Sequence, residues 1–216
     1  MKTVSMNQFA LKKKTDLHLA RKIWHFIGVM VIAFIYYRVS HSTAIQVMAL
    51  SAALFTTLDL LRKQLPSLNQ ILMSIFNPVM RESERTHIAG TTYLLNGAFI
   101  TMFFFPKPIV LLTLLMLGTA DPVASFTGLK MGKDKILGNK TLQGSLAAFA
   151  VSTVVAAIYY FLTNTMTERL MIVSLLSGLV GTFSELIPIG KIDDNFSFPI
   201  VCALGLSGVY YLFGGF

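Results

Sequence analysis

Asp121 and Glu185 are carboxylates set inside apolar runs, and the chain between them carries lysines interleaved with glycines. Asp121 falls near the end of its run, ~12 Å deep at about 1.5 Å of rise per helical residue. An ionisable group at such a depth is costly unless it faces a cavity, a partner or a cation, so a functional site is the default expectation. Pro122 removes a backbone N–H beside it. Gly118, Ala120, Ala124, Ser125 and Gly128 surround it with small side chains that permit close approach of a helix or a ligand. Residues 128–145, GLKMGKDKILGNKTLQGS, place Lys130, Lys133, Lys135 and Lys140 among Gly128, Gly132, Gly138 and Gly144, and then open a helix at 141–145. Glycine backbones approach phosphate closely, a helix start presents its positive dipole end, and lysines supply point charges. With Thr141 and Ser145 at the helix start, this segment is a predicted phosphate cradle. It is not a Walker A site, because Asn139 separates Gly138 from Lys140.

Glu185 is followed closely by Asp193, Asp194 and Asn195, and Asp121 joins them from another apolar run. An all-oxygen set of this kind suits Mg²⁺ carried with nucleotide phosphates, whereas zinc would call for a His/Cys cluster. Arg21, Lys22 and His25 enter the first apolar run, with Arg21 and His25 one helical turn apart. Arg81, Glu82, Glu84, Arg85 and His87 precede the third, followed by Gly90, Thr92, Tyr93, Asn96 and Gly97, a richer polar set than a membrane anchor requires.

These residues need a scaffold, and the composition says which. The chain has 216 residues, 54% hydrophobic and 13% charged. Soluble domains carry about a quarter charged residues. A soluble globular protein, a disordered chain and a disulfide scaffold are therefore excluded; the single Cys202 permits no intrachain disulfide. The expected fold is an all-α integral membrane protein, a polytopic helix bundle. Seven runs approach the ~20 residues that cross a bilayer: 23–39, 43–61, 88–105, 108–129, 144–163, 169–187 and 196–213. The first is expected to remain as an uncleaved helix, since no small-residue cleavage site follows it. In 67–79, Leu68, Ile71, Leu72, Ile75 and Phe76 share one helical face, which predicts an interfacial amphipathic helix, with Ser67 and Gln70 spaced as a capping box.

Of the 18 Lys and Arg residues, all but Arg38, Lys107 and Arg169 fall on the side of the N-terminus. The positive-inside rule then puts the N-terminus in the cytoplasm and, with seven spans, the C-terminus opposite. The net charge of +8 reflects this topology rather than nucleic-acid binding. A basic cytoplasmic segment, 1–20, and a single transmembrane catalytic domain, 21–216, are the expected organisation.

Five stretches carry a family resemblance: RKIWH at 21–25, RESERTHIAGTTY at 81–93, GTADPVASFTGLKMGK at 118–133, NKTLQGS at 139–145 and SELIPIGKIDDNFSFP at 184–199. In this order they resemble the CTP-dependent lipid-alcohol kinase family, which includes dolichol, phytol and farnesol kinases and the CTP-using diacylglycerol kinase, and which is distantly similar to phosphatidate cytidylyltransferase. The resemblance covers nearly all of the chain after residue 20. It implies transfer of the γ-phosphate of CTP to a lipid hydroxyl, with Mg²⁺, at the cytoplasmic face. By position it implies roles for Arg21, Lys22 and His25; for Asp121 with Gly128 and Gly132; for Lys140, Thr141, Gly144 and Ser145; and for Glu185, Asp193, Asp194 and Asn195. One departure stands out: where many members read Gly-Asp-Gly or Gly-Asp-Ala, this chain has Ala120-Asp121-Pro122.

Phosphoryl transfer needs positioning and charge neutralisation. The expected assignment has Asp121 with Glu185, Asp193 or Asp194 on Mg²⁺, the 130–140 segment and the 141–145 helix start on the triphosphate, and Arg21, Lys22 and Arg81 neutralising charge. His25 or a carboxylate (Asp121, Glu185 or Glu84) is left to accept the hydroxyl proton. CDP-lipid synthesis and cation-coupled transport are the competing readings. Crowding of the polar residues at one side of the membrane favours an enzyme over a transporter.

Overall fold

Prolines and hydroxyls punctuate the helices. The computed structural model describes residues 18–187, 190 and 192–215. The N-terminal segment through residue 17, Pro188 and Lys191 lie outside them. Helix α1 (Leu19–Arg38) ends where Val39 turns extended, and Ser40 accepts from the Thr43 N–H at 3.1 Å to cap α2 (His41–Gln64). Pro66 holds Leu65 extended and itself takes the first turn of α3 (Pro66–Phe76). The expected Ser67–Gln70 capping box does not form. Proline's fixed φ and missing N–H start the helix earlier, with Leu65 at the cap and no side-chain bond there.

A 3₁₀ turn (Glu82–Arg85) leads into α4 (Gly90–Phe104), followed by α5 (Lys107–Met131). The basic glycine segment then folds back as a hairpin, β1 (Lys135–Leu137) against β2 (Lys140–Thr141), turning at Gly138 with φ +56°. Thr141 ends the hairpin and caps α6 (Leu142–Leu162), its hydroxyl accepting from the Gly144 N–H at 3.2 Å. Helices α7 (Leu170–Leu186) and α8 (Asp194–Phe213) complete the described chain.

Each of the seven expected spans coincides with a helix, and among the described residues six helices are long and apolar enough to cross a membrane. The protein is a multi-pass membrane protein. Helix α4 falls short of that length: it has 15 residues, or ~22 Å at about 1.5 Å each. The polar stretch before it uses up the chain as far as Ala89.

Helix α5 is the axis of the bundle. It is apolar on all sides over its first half, as a buried helix must be, and Ile109, Leu112, Leu114 and Met116 are completely buried. It packs on α1, α6 and α8; α6 packs on α7, α7 on α8, α8 on α4, and α4 on α2. Gly97 lets α4 approach α8 closely: a Cβ there would lie 2.8 Å from the Phe196 carbonyl oxygen. Large side chains such as Phe34, Leu50, Phe104 and Met171 point outward and stay exposed, the surface a bilayer covers. Helix α1 has its main packing on α5, whereas α2 packs on α4 and α3. That arrangement leaves a gap between α1 and the α2–α4 pair, bordered by α3.

Candidate active site at the converging helix ends

The start of α1, the end of α5, the start of α8 and the residues before α4 meet at one end of the bundle. A polar cleft of about 60 Å³ lies among them, lined by Arg21, Lys22, His25, Arg81, Asp121, Ser125 and Asp193 to Asn195. Sequence elements far apart are thus brought together.

Arg21 is held as a fork. Its Nη1 and Nη2 donate to Glu84 Oε2 and Oε1, each at 2.9 Å, and Nη1 also donates to the Val79 carbonyl at 2.9 Å. Glu84 additionally accepts from the backbone N–H of Arg81 at 2.9 Å and of Gly90 at 2.8 Å. Burial alone would raise the Glu84 carboxyl; the Arg21 guanidinium and the two backbone donors outweigh it and hold the group below the usual carboxylate range. Glu84 is therefore a fixed anion behind Arg21, and Gly90 is needed beside it, since a Cβ there would stand 3.1 Å from Asn195 Nδ2 and 3.2 Å from Glu84 Oε1.

Helix α1 also supplies Lys22, whose ammonium donates to Ser125 Oγ, and His25, whose Nε2 lies 3.3 Å from the Leu117 carbonyl and 3.8 Å from Asp121 Oδ2. Asp121 keeps 24% side-chain exposure, so the cleft relieves the penalty that its depth would impose. Pro122 has no N–H for the Gly118 carbonyl, which loosens α5 at that turn. Arg81 Nη1 stands 3.7 Å from Asp193 Oδ2, while its buried Nε has no hydrogen-bond partner among the described residues. Burial and the neighbouring Arg21 guanidinium lower the Arg81 pKa, but an arginine remains a cation at neutral pH.

Lys140 reaches the same region from β2. Its Nζ donates to Glu185 Oε1 at 2.5 Å and to Asp194 Oδ2 at 3.1 Å, tying the hairpin to the ends of α7 and α8. Burial would lower the Lys140 ammonium, yet Glu185 and Asp194 outweigh it and raise its pKa above the ordinary lysine value. Among the described residues, Glu185 Oε2 is buried without a hydrogen-bond partner. Asp193 caps α8, its Oδ1 accepting from the Asn195 N–H at 3.1 Å.

The rest of the expected cradle is spread out. Lys130 Nζ sits 5.6 Å from the Phe126 ring centroid, and Lys133 is exposed, its backbone N–H donating to Gln143 Oε1 at 3.0 Å. Gly128 and Gly144 serve the close contact of α5 with α6, a Cβ on Gly144 lying 2.9 Å from the Ala124 carbonyl oxygen. Gly132 crowds Thr141, and Ser145 Oγ is buried without a hydrogen-bond partner among the described residues. Asp59 and Arg62 are not among the residues that the sequence singles out. They form a buried ion pair in which Asp59 also accepts from the Ala89 N–H at 2.9 Å and from Thr92 Oγ1, and Arg62 donates to the carbonyls of Glu84 at 2.8 Å and His87 at 2.7 Å. Their i, i+3 spacing at the end of an apolar run was the available signal.

A second cavity, apolar and about 530 Å³, fills the gap between α1, α2, α3 and α4. Trp24 and Ile32, Phe55 and Leu58, Leu72 and Phe76, and Leu94 and Leu95 are among its walls. It shares Arg21, His25 and Asn195 with the polar cleft. Part of the apolar face expected of the interfacial helix, Leu72 and Phe76, borders this cavity, while Ile71 and Ile75 stay exposed.

The chain is similar to proteins named CTP-dependent diacylglycerol kinase 1 from three fungi. It is 32% identical to that of Schizosaccharomyces pombe over 155 residues, covering 67% of this chain and 71% of the relative. Identity is 30% over 210 residues with the Eremothecium gossypii protein, covering 88% and 66%, and 26% over 219 residues with that of Saccharomyces cerevisiae, covering 92% and 76%. The chain belongs to the CTP-dependent lipid kinase family. No family model and no solved structure matches it. A kinase of this family has to bring a polar triphosphate and an apolar acceptor to one point. In this kinase the polar cleft and the apolar cavity meet at Arg21, His25 and Asn195.

Proposed function

We propose that this kinase transfers the γ-phosphate of CTP to the hydroxyl of diacylglycerol at the cytoplasmic face of a membrane. The observation that carries the reading is the junction of the two cavities: a polar cleft in which Arg21, Lys22 and Arg81 suit phosphate borders, at Arg21, His25 and Asn195, an apolar space suited to hydrocarbon. The three relatives' names support diacylglycerol over dolichol or phytol as acceptor. The side on which the basic residues lie supports the cytoplasmic face.

In this reading Arg21, Lys22, Arg81 and Lys140 neutralise the triphosphate, Arg21 being pre-aimed by Glu84 and Arg81 keeping a buried donor to spare. Among the described residues no three His, Cys, Asp or Glu side chains gather into a ready metal site. Mg²⁺ does not require one, because it binds through one or two carboxylates plus substrate phosphates. Asp121, Asp193 and Asp194, all lining the cleft, fit that role, with Glu185 joined to Asp194 through Lys140. Bound there, the ion would offset charge on the phosphate oxygens.

His25 is the base in this scheme. With Nε2–H directed to the Leu117 carbonyl and Asp121, the lone pair stays on Nδ1. The lipid oxygen forms a bond to the γ-phosphorus, the bond from that phosphorus to the β–γ bridging oxygen breaks, CDP leaves, and the hydroxyl proton passes to His25 Nδ1.

The test is an acceptor panel. The purified kinase in phospholipid vesicles, with CTP and Mg²⁺, is offered diacylglycerol, a polyprenol and phytol. Phosphatidate is expected as the main product; phosphorylation of polyprenol or phytol in preference to diacylglycerol would overturn the assignment.

A further inference from the structure

Trp24, Gly28 and Ile32 follow one another at single-turn spacing along α1, and all three line the apolar cavity. Arg21, at the head of that stripe, lines the polar cleft as well. From Arg21 to Ile32 the stripe runs ~16 Å at about 1.5 Å per residue, close to one leaflet of a hydrocarbon core ~30 Å thick.

Glycine is a poor residue for a helix interior, second only to proline. Close packing explains it at Gly97, where a Cβ would meet the backbone of α8. No such reason holds at Gly28, where a Cβ would meet nothing within 4 Å. The space that glycine leaves there belongs to the cavity itself. It lies part-way between the head end at His25 and the far end at Ile32.

We infer that Gly28 sets the length of hydrocarbon tail this kinase accepts, by keeping the apolar cavity open past the second turn of α1. The occupant is one tail of the lipid alcohol, since the cavity shares Arg21, His25 and Asn195 with the cleft. This rests on the proposed lipid-kinase reading of the two cavities. A side chain at position 28 would shorten the cavity from within and leave the cleft unchanged. Filling the site does not threaten the helix, because nearly any residue favours helix more than glycine does.

The experiment uses the full chain in vesicles and labelled CTP, with dioctanoylglycerol and dioleoylglycerol as separate acceptors. Gly28→Trp, Gly28→Ala and Val31→Trp are compared with the wild type, Val31 being an exposed residue of α1 outside the cavity wall. Gly28→Trp is expected to lower kcat/KM for the long-chain acceptor at least tenfold relative to the short one, with KM for CTP unchanged. Gly28→Ala should show a smaller shift in the same direction and serves if the larger variant is not recovered folded. Val31→Trp should match the wild type. An unchanged ratio between acceptors in both Gly28 variants, with an active wild type, would overturn the role of Gly28 alone. A folded wild type that phosphorylates neither acceptor would overturn the lipid-kinase reading and this inference with it.

Discussion

Asp121→Asn is expected to reduce lipid phosphorylation by about 10²–10³-fold, the scale of losing one preorganised electrostatic group, while the protein still inserts and folds. Asparagine keeps the shape and removes the charge. That charge faces His25 Nε2 at 3.8 Å and acts on Arg81 and Lys140, so its loss disturbs the base and the phosphate-binding cations together. Because the contact of Asp121 with His25 is long, at 3.8 Å, and part-exposed, thermal unfolding in detergent should move little. Near-normal turnover by the variant would remove Asp121 from the reacting centre.

The second large effect concerns stability. Asp59→Ala is expected to destabilise the protein by about 3–5 kcal/mol, the cost of leaving a buried charge without its partner. Arg62 is 2% exposed and would keep only carbonyl and amide acceptors: Asn69 Oδ1 at 3.1 Å and the carbonyls of Glu84 and His87. The Ala89 N–H and the Thr92 hydroxyl would lose their acceptor as well. Replacing both charges, as in Asp59→Leu with Arg62→Met, should recover much of the loss, since apolar substitutes for a buried pair are often neutral. Unfolding midpoints in detergent compare the single and double variants; equal destabilisation by the two would show that the lost packing, not the stranded charge, dominates.

The spans were legible because burial in lipid demands long apolar runs, and each run proved helical. Helix ends were less so. At Pro66 the backbone constraint of proline overrode the serine that composition favoured as a cap. The cleft was legible in its members, since Arg21, Lys22, His25, Arg81, Asp121, Asp193, Asp194 and Asn195 all line it. Their polarity near membrane ends is costly enough to be noticed. The glycines of 128–144 misled in emphasis: glycine permits close approach, but periodicity cannot say whether the approaching atom is a phosphate or the next helix, and at Gly144 it is the Ala124 carbonyl. The Asp59–Arg62 pair left a trace in its i, i+3 spacing on one helix, but its burial against the residues before α4 depends on which helices lie side by side; the apolar cavity left none, because the gap beside α1 is a property of packing rather than of any one segment.

The most direct test of the central claim follows the phosphorus atom. The purified kinase in vesicles containing diacylglycerol, with Mg²⁺, is given CTP labelled either at the γ- or at the α-phosphate, and the extracted lipid is counted. Label from the γ position alone, reduced by about 10²–10³-fold with Asp121→Asn, is the predicted result. Label from the α position, or γ-label that survives Asp121→Asn undiminished, would contradict it.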